Sequence, residues 1–262
     1  MNAAIEGNLA FPPAELAHMR AAYGRDGFIQ IDALTTADDI ATLRSLLGPL
    51  LAAQAGAHAR GGDPGVAAEG VKRAGYAEVV NALGRAPALR QTRAYQRCRS
   101  LARSLLGVPV GDIFDHAIYK PPHYEIAAPW HQDEIYNRAP MRQRAVNFWI
   151  PLQAASVENG CLRFSPGSHR GGLLPHHPAA QAAPSGEVQL ELDGVDEALA
   201  VAAQVGVGGA TAHHPLTAHC AGPNRTDAAR TVWVLHFGAF GKWRYRLHPR
   251  AVMARGRSIA GR

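Results

Sequence analysis

Cysteine is scarce in this chain: Cys98, Cys161 and Cys220 are the only three, and their spacing forms no CxxC pair or other zinc pattern. The chain should therefore fold without disulfide staples, and an odd, scattered set fits a reducing cytoplasm. Long apolar runs are missing too. The opening Met1-Asn-Ala-Ala-Ile-Glu-Gly-Asn has no basic region and no stretch able to cross a bilayer, so neither secretion nor membrane spanning is expected. Charged residues make up only 18% of the chain, although the balance is a formal +6. Arg90, Arg93 and Arg97 stand at helical spacing, where a solvated face explains them. Without a zinc finger, an RNP-like strand or a long basic tail, no nucleic-acid partner is expected. What is present is 262 residues with 47% apolar content, enough for one substantial core.

The first 107 residues read as a mostly helical flank. Pro12 and Pro13 precede Leu16, Met19 and Tyr23, a helical set that Gly24 can end. Gly27-Phe-Ile-Gln-Ile alternates like a short strand. Thr36 is an expected N-cap with Asp39 three residues on, and Ile40, Leu43, Leu47 and Leu50 recur on one face, which predicts a helix from about 37 to 47 or 54. Pro49 can kink or stop it. Residues 56–70, rich in Gly and Ala, read as a mobile loop, and a further helix is expected from Pro87 to Leu106, broken by Gly107. Beyond Val108 the pattern changes to short alternating segments at 113–120, 143–152, 161–164, 188–192 and 230–237. Turn-separated short strands favour a barrel or jelly roll over a parallel sheet. The expectation is one domain over 1–262: helical flank 1–107, jelly-roll core 108–245, and a basic tail 246–262.

Within the core, Lys120-Pro-Pro-His-Tyr-Glu-Ile-Ala-Ala-Pro-Trp-His-Gln-Asp ends in a His131-x-Asp133 pair, and a distant His219 is followed eleven residues later by Arg230. Two imidazoles and one carboxylate are the ligand set of a non-haem iron(II) centre that keeps positions open for oxygen and a co-substrate. Three histidines would instead suggest zinc hydrolysis or a cupin site, so His213, His214 and His236 stand as rival ligands. The bland alternative makes His131 and His219 hydrogen-bonded core residues and Asp133 a turn carboxylate. His169, His176 and His177 are expected in a loop, as structural or substrate-side residues.

At this combination the chain resembles the phytanoyl-CoA dioxygenase family of iron(II)- and 2-oxoglutarate-dependent oxygenases. The matching text is Lys120-Pro-Pro; Trp130-His-Gln-Asp with Tyr136 after it; Asn147-Phe-Trp-Ile-Pro-Leu; Glu158-Asn-Gly-Cys-Leu-Arg-Phe-Ser-Pro-Gly-Ser-His; and His214-Pro-Leu-Thr-Ala-His219-Cys-Ala-Gly-Pro-Asn-Arg, ending in the strand at Arg230. The resemblance covers nearly the whole chain. It implies a double-stranded β-helix, or jelly roll, with helices outside. It also implies that His131, Asp133 and His219 are both the catalytic residues and the iron ligands. Arg230 would salt-bridge the distal carboxylate of 2-oxoglutarate, a task suited to a planar, permanently charged fork. Lys120, Gln132, Asn147 and Trp149 match co-substrate pocket or supporting positions. Cys220-Ala replaces the Gly-Ser pair of many relatives; Thr217 or Asn147 could replace the lost serine hydroxyl.

The implied activity is hydroxylation of a small-molecule metabolite with O2, releasing succinate and carbon dioxide. Retention of Asp133 argues against halogenation, for which related enzymes replace that carboxylate by a small residue. The protein is expected to be cytoplasmic, as a monomer or homodimer, with no membrane partner. Residues 169–200 and 56–70 are candidate substrate lids, and His176-His177 with the arginine-rich tail suggest an anionic substrate, a reading that neutralising Arg244 and Arg246 would test. The competing readings are a silent jelly roll that binds 2-oxoglutarate or a small anion without turnover, and a basic nucleic-acid-binding or scaffold protein.

Overall fold

The computed structural model describes residues 9–60, 75–136, 144–180 and 188–239, the side chains of 56–60 excepted. In chain order the elements are α1 (Pro13–Asp26), β1 (Phe28–Ile31), α2 (Ala37–Arg60), β2 (Ala77–Val80), α3 (Ala82–Arg85), α4 (Arg93–Leu106), β3 (Gly111–Lys120), β4 (Ala128–His131), β5 (Ala145–Pro151), β6 (Leu162–Phe164), β7 (His177–Pro178), β8 (Leu190–Glu191), β9 (Val201–Ala202), β10 (Ala210–His213), β11 (His219–Ala221) and β12 (Arg230–Gly238). They build a mainly β jelly roll. Six strands form the larger sheet in the order β1-β10-β5-β12-β3-β2, and four form the smaller, β4-β11-β6-β9.

Strand alternation gives the larger sheet two distinct faces. Val146, Phe148 and Ile150 of β5 and Trp233, Leu235 and Phe237 of β12 point outward and pack under the helices with Leu43, Leu47, Cys98 and Leu101. Trp149, Val232 and Val234 point inward against Leu162, Phe164 and Ala221 of the smaller sheet. The smaller sheet's own outer face buries Trp130, Leu192 and Cys220 beneath the chain around Leu174, Val195 and Ala200. Two facing sheets with one side roofed by helices leave a single interior, and the candidate residues lie there.

The amino-terminal part departs from its sequence reading in several places. It is not helical alone, since β1 and β2 close the two edges of the larger sheet. Helix α1 passes through Gly24 and ends at Gly27, whose φ of 83° and N–H bond to the Tyr23 carbonyl form a left-handed cap. A side chain at 27 would also collide with Thr217 and His169. Helix α2 continues through Pro49 to Arg60, so Gly56–Arg60 are helical. Burial of Leu43, Leu47 and Leu51 on the core side offsets the lost bond. Residues 61–70 of the expected loop, like the basic tail, lie outside the described residues. The segment from Pro87 is two pieces: a 3₁₀ turn over Pro87–Gln91, then α4, capped where the Thr92 side chain accepts from the Tyr95 N–H.

Thr36 does cap α2, its hydroxyl accepting from the Asp39 N–H at 3.3 Å. Asp39, however, does not reach back to complete the box. Its carboxylate accepts from the backbone N–H groups of Arg93 and Ala94 at 3.0 and 2.8 Å, and so caps α4 instead. A negative group at that helix start also opposes the positive end of its dipole. Asp39→Ala is therefore expected to lower stability by about 1–2 kcal/mol, read from urea unfolding, while leaving metal binding unchanged.

Candidate metal centre

His131 is the last residue of β4, and Asp133 opens the short 3₁₀ turn Asp133–Tyr136. His219 begins β11, and its Cα pairs with that of His131 across the antiparallel ladder. Register alone thus sets the two imidazoles side by side, their ring centroids 4.3 Å apart. The turn after Gln132 swings Asp133 inward to the same point, and one donor atom from each of the three residues lies within 4.8 Å of the others.

The protonation pattern says what that point requires. Nδ1 of His131 faces the Pro129 carbonyl at 2.7 Å, and Nδ1 of His219 faces the Thr217 carbonyl at 2.9 Å. Each Nδ1 must donate, so each Nε2 presents a lone pair. Those lone pairs point at Asp133 Oδ1 from 3.6 and 3.8 Å, too far for hydrogen bonds. Two lone pairs and a carboxylate oxygen around one point repel each other unless a cation lies between them. The donor set therefore fits a divalent ion.

The other carboxylate oxygen, Oδ2, accepts from Asn147 Nδ2 at 2.6 Å and contacts His213 Nε2 at 3.0 Å. His213 and Asn147 are themselves cross-strand partners on β10 and β5. Burial opposes ionisation of Asp133, yet the nearby imidazoles of His219 and His131 and the contact with His213 hold its pKa well below the usual carboxylate value. Burial and the neighbouring His131 keep His219 neutral by pushing its pKa well down. At His131 burial acts the same way, but the nearby Asp133 carboxylate, with the Pro129 carbonyl, prevails and raises its pKa. Asn147→Ala is expected to reduce metal affinity or turnover about 10–100-fold, measured by titration of the purified variant.

A second feature lies on the larger sheet. Arg230, at the start of β12, and Lys120, at the end of β3, are Cα partners. They are 1% and 5% exposed, so two cations are sequestered from water in one place. Lys120 Nζ donates to the carbonyls of Ile126 and Gly222 at 2.9 and 3.2 Å. Arg230 donates through one terminal nitrogen to the Gly160 carbonyl at 2.6 Å, its guanidinium lies 5.6 Å from the Trp149 ring, and its buried Nε has no partner among the described residues. No carboxylate among the described residues pairs with either group. Burial pushes the Arg230 pKa down to about 10, and burial with the Arg230 charge pushes that of Lys120 well down. Buried unpaired cations are costly unless an anion joins them. Gly160 owes its place to its φ of 80° and to the approach of the Gly222 carbonyl, which any side chain would strike.

The remaining candidates fall into place around these two features. Gln132 is fully buried, but its amide donates to the Gly172 and Leu216 carbonyls and accepts from the Leu174 N–H. It fastens the 172–176 loop to the 214–218 loop instead of facing the cations. Thr217 commits its one hydroxyl proton to the Gly27 carbonyl, whereas Asn147 commits one amide N–H to Asp133 and keeps a second, so of the two only Asn147 has a proton left to stand in for a serine. Alternation turns Cys220 to the outer face with Trp130, so of the substituted pair only Ala221, the position without the serine hydroxyl, faces inward. Of the rival histidines, His213 supports Asp133, His214 lies beside Tyr23 and His169, and His236 sits with Phe114 and His116. His176 accepts from the Gln132 N–H, and His177 pairs with Asp193. Sequence inspection missed the contribution of Gly160, whose signal was a glycine directly before a core strand, and the pair Glu78–His116 described below.

Residues 23–232 match the family model described as phytanoyl-CoA dioxygenase (PhyH). The chain is 31% identical over 167 residues to phytanoyl-CoA dioxygenase domain-containing protein 1 of Bos taurus, a match that covers 60% of this chain and 56% of that protein. The chain thus spans about half the length of the curated relatives it matches. Among solved structures, EvdO2 from Micromonospora carbonacea var. aurantiaca in complex with 2-oxoglutarate superposes with a TM-score of 0.70 at 32% identity, covering 84% of this chain and 89% of EvdO2. The epimerase SnoN, solved with Fe3+, alpha ketoglutarate and a nogalamycin compound, shares the fold with a TM-score of 0.66 at 24% identity, covering 87% and 84% of the two chains.

Proposed function

Since the chain belongs to the phytanoyl-CoA dioxygenase family, we propose that it is an iron(II)- and 2-oxoglutarate-dependent dioxygenase that hydroxylates a small molecule, with O2 as oxidant and succinate and carbon dioxide as co-products. The observation that carries this is the pairing of an electron-rich triad at His131, Asp133 and His219 with a buried, anion-seeking pair at Arg230 and Lys120. A metal ion satisfies the first and a co-substrate carboxylate the second. The complex of EvdO2 with 2-oxoglutarate supports the choice of co-substrate. Bound iron would supply oxygen activation driven by oxidative decarboxylation of the 2-oxo acid.

The protein's own share is placement. Pro129 and Thr217 carbonyls set the tautomers of the two imidazoles, and Asn147 with His213 leaves only Oδ1 of Asp133 for the ion. Arg230, aimed by the Gly160 carbonyl and flanked by Trp149, receives the far carboxylate. Val232 and Val234 lie along β12 between that clamp and the metal end, an apolar floor that keeps water from the co-substrate. The chain is treated as one dioxygenase domain because strands from before residue 107 complete the sheet that carries the clamp. A reducing cytoplasmic setting is consistent with three buried free thiols.

Because a proton on His131 occupies the place an ion would take, metal affinity should fall as pH drops through the raised pKa of that imidazole. Above that pKa the affinity should level off. Calorimetric titration across pH checks the slope. The function itself is tested by supplying iron(II) and 2-oxoglutarate with and without oxygen. Oxygen-dependent succinate release is expected, and co-substrate binding with no succinate under any condition, including with candidate substrates, would favour the silent binder.

A further inference from the structure

Beside the metal end, the inner wall of the larger sheet carries a polar group with no part in holding metal or co-substrate. Cα partners across an antiparallel sheet share a face, which places His213, Asn147, His236 and Phe114 in one row across β10, β5, β12 and β3. In the next row Trp149, Val234, His116 and Val80 follow across β5, β12, β3 and β2. Inner residues Phe114, His116 and Ile118 of β3 remain partly exposed, whereas Asp115 and Ala117 on the other face are buried under the helices.

His116 is fixed with care. Its Nδ1 lies 2.6 Å from Glu78 Oε1, and Glu78 Oε2 accepts from the Tyr76 hydroxyl at 3.0 Å. Both oxygens of Glu78 are thereby engaged, and Nε2 of His116 has no partner among the described residues. Neither ring nitrogen of His236 has one either. The rings of His116 and His236 are 6.2 Å apart, each about 5 Å from Phe114, at 5.1 and 5.3 Å. Burial works against a charge on His116, but the hydrogen bond and charge of Glu78 outweigh it and raise its pKa. Glu78 and His116 therefore balance each other.

We infer that His116 and His236, with the Phe114 ring between them, are the wall that holds the primary substrate, an uncharged molecule whose hydroxyl or carbonyl oxygens hydrogen-bond the free imidazole nitrogens. This rests on the dioxygenase reading and names the substrate class of that same site. Position supports it, since His236 is the cross-strand partner of Asn147, whose amide holds Asp133. Charge supports it as well. The fixed cations Lys120 and Arg230 lie at the other end of the wall with the co-substrate, so among the described residues an anionic group finds no unpaired counter-charge here. A cationic group would need Glu78, whose oxygens His116 and Tyr76 already occupy. An imidazole nitrogen pair that both donates and accepts matches the two-way hydrogen bonding of a hydroxyl, and the phenyl ring offers an apolar face to the carbon skeleton.

The test uses full-length protein loaded anaerobically with iron(II) and 2-oxoglutarate. Thermal-shift screening followed by calorimetry would compare methyl glycosides and cyclic hydroxyketones with acyl-CoA thioesters and alkylamines. Binding confined to the uncharged set is expected, weakened about tenfold or more in His116→Phe and in His236→Phe and partly restored in His116→Gln, while the visible band of the iron co-substrate complex persists. Binding by the charged sets alone, by none, or by uncharged probes equally in wild type and both phenylalanine variants would overturn the inference. Absence of the band in wild type would instead strike the dioxygenase reading beneath it.

Discussion

Asp133→Ala is expected to weaken iron(II) binding by about a thousandfold or more, equivalent to about 4 kcal/mol, and to abolish turnover. Asp133 supplies the only carboxylate of the triad, and its Oδ1 is the point toward which both Nε2 lone pairs are aimed. The loss extends to its supports. Asn147 Nδ2 and His213 Nε2 both lean on Oδ2, and truncation leaves buried polar groups without an acceptor, at about 1–3 kcal/mol each. Asp133→Asn separates the two effects, since it keeps the shape and one oxygen while removing the charge. Calorimetric metal titration, with circular dichroism to confirm the fold, reads both variants. Retained tight binding in folded Asp133→Ala would mean that the ion sits elsewhere.

Arg230→Gln should act on the co-substrate alone. In the wild type, saturating 2-oxoglutarate at about a hundred times its dissociation constant should raise stability by about 2.7 kcal/mol, because the ligand relieves two sequestered cations as well as binding the ion. The variant should lose most of that gain, with co-substrate affinity down about a hundredfold or more, a fall of about 2.7 kcal/mol. Its own unliganded stability should change little: the Gly160 carbonyl loses its donor, but a buried charge with an unpartnered Nε is also removed. Metal affinity measured without co-substrate should stay near that of the wild type. Equal loss of metal and co-substrate binding would point to a damaged fold and remove the clamp from the account.

How far the sequence carried is visible in individual residues. His131, Asp133, His219 and Arg230 were singled out through the family resemblance, residue chemistry alone having left rival histidines open, and the structure gathers the first three; the strand at 230–237 was legible because its alternation is unbroken. Short strands between turns pointed to a barrel or jelly roll, and the family resemblance chose the jelly roll. Less was legible where a residue serves a distant partner. Asp39 looked like the second half of a local capping box and instead caps α4, more than fifty residues on. Gln132 matched a pocket or supporting position and takes the supporting one, stitching two loops, since neighbouring His131 and Asp133 in sequence says nothing about which way a side chain turns after a strand end. His213 support for Asp133, and the Glu78–His116 pair on β2 and β3, depend on sheet order, which no local pattern encodes. Alternation could have placed Cys220 outward, given that His219 faces in.

The most direct test of the central claim, that His131, Asp133 and His219 gather one iron(II) ion beside an Arg230 clamp, is the visible spectrum of the protein under anaerobic conditions. Addition of iron(II) and 2-oxoglutarate together should produce the weak charge-transfer band of a chelated 2-oxo acid, which either alone does not give, and the band should be absent from Asp133→Ala. A well-folded wild-type protein whose spectrum does not change on that addition would contradict the account.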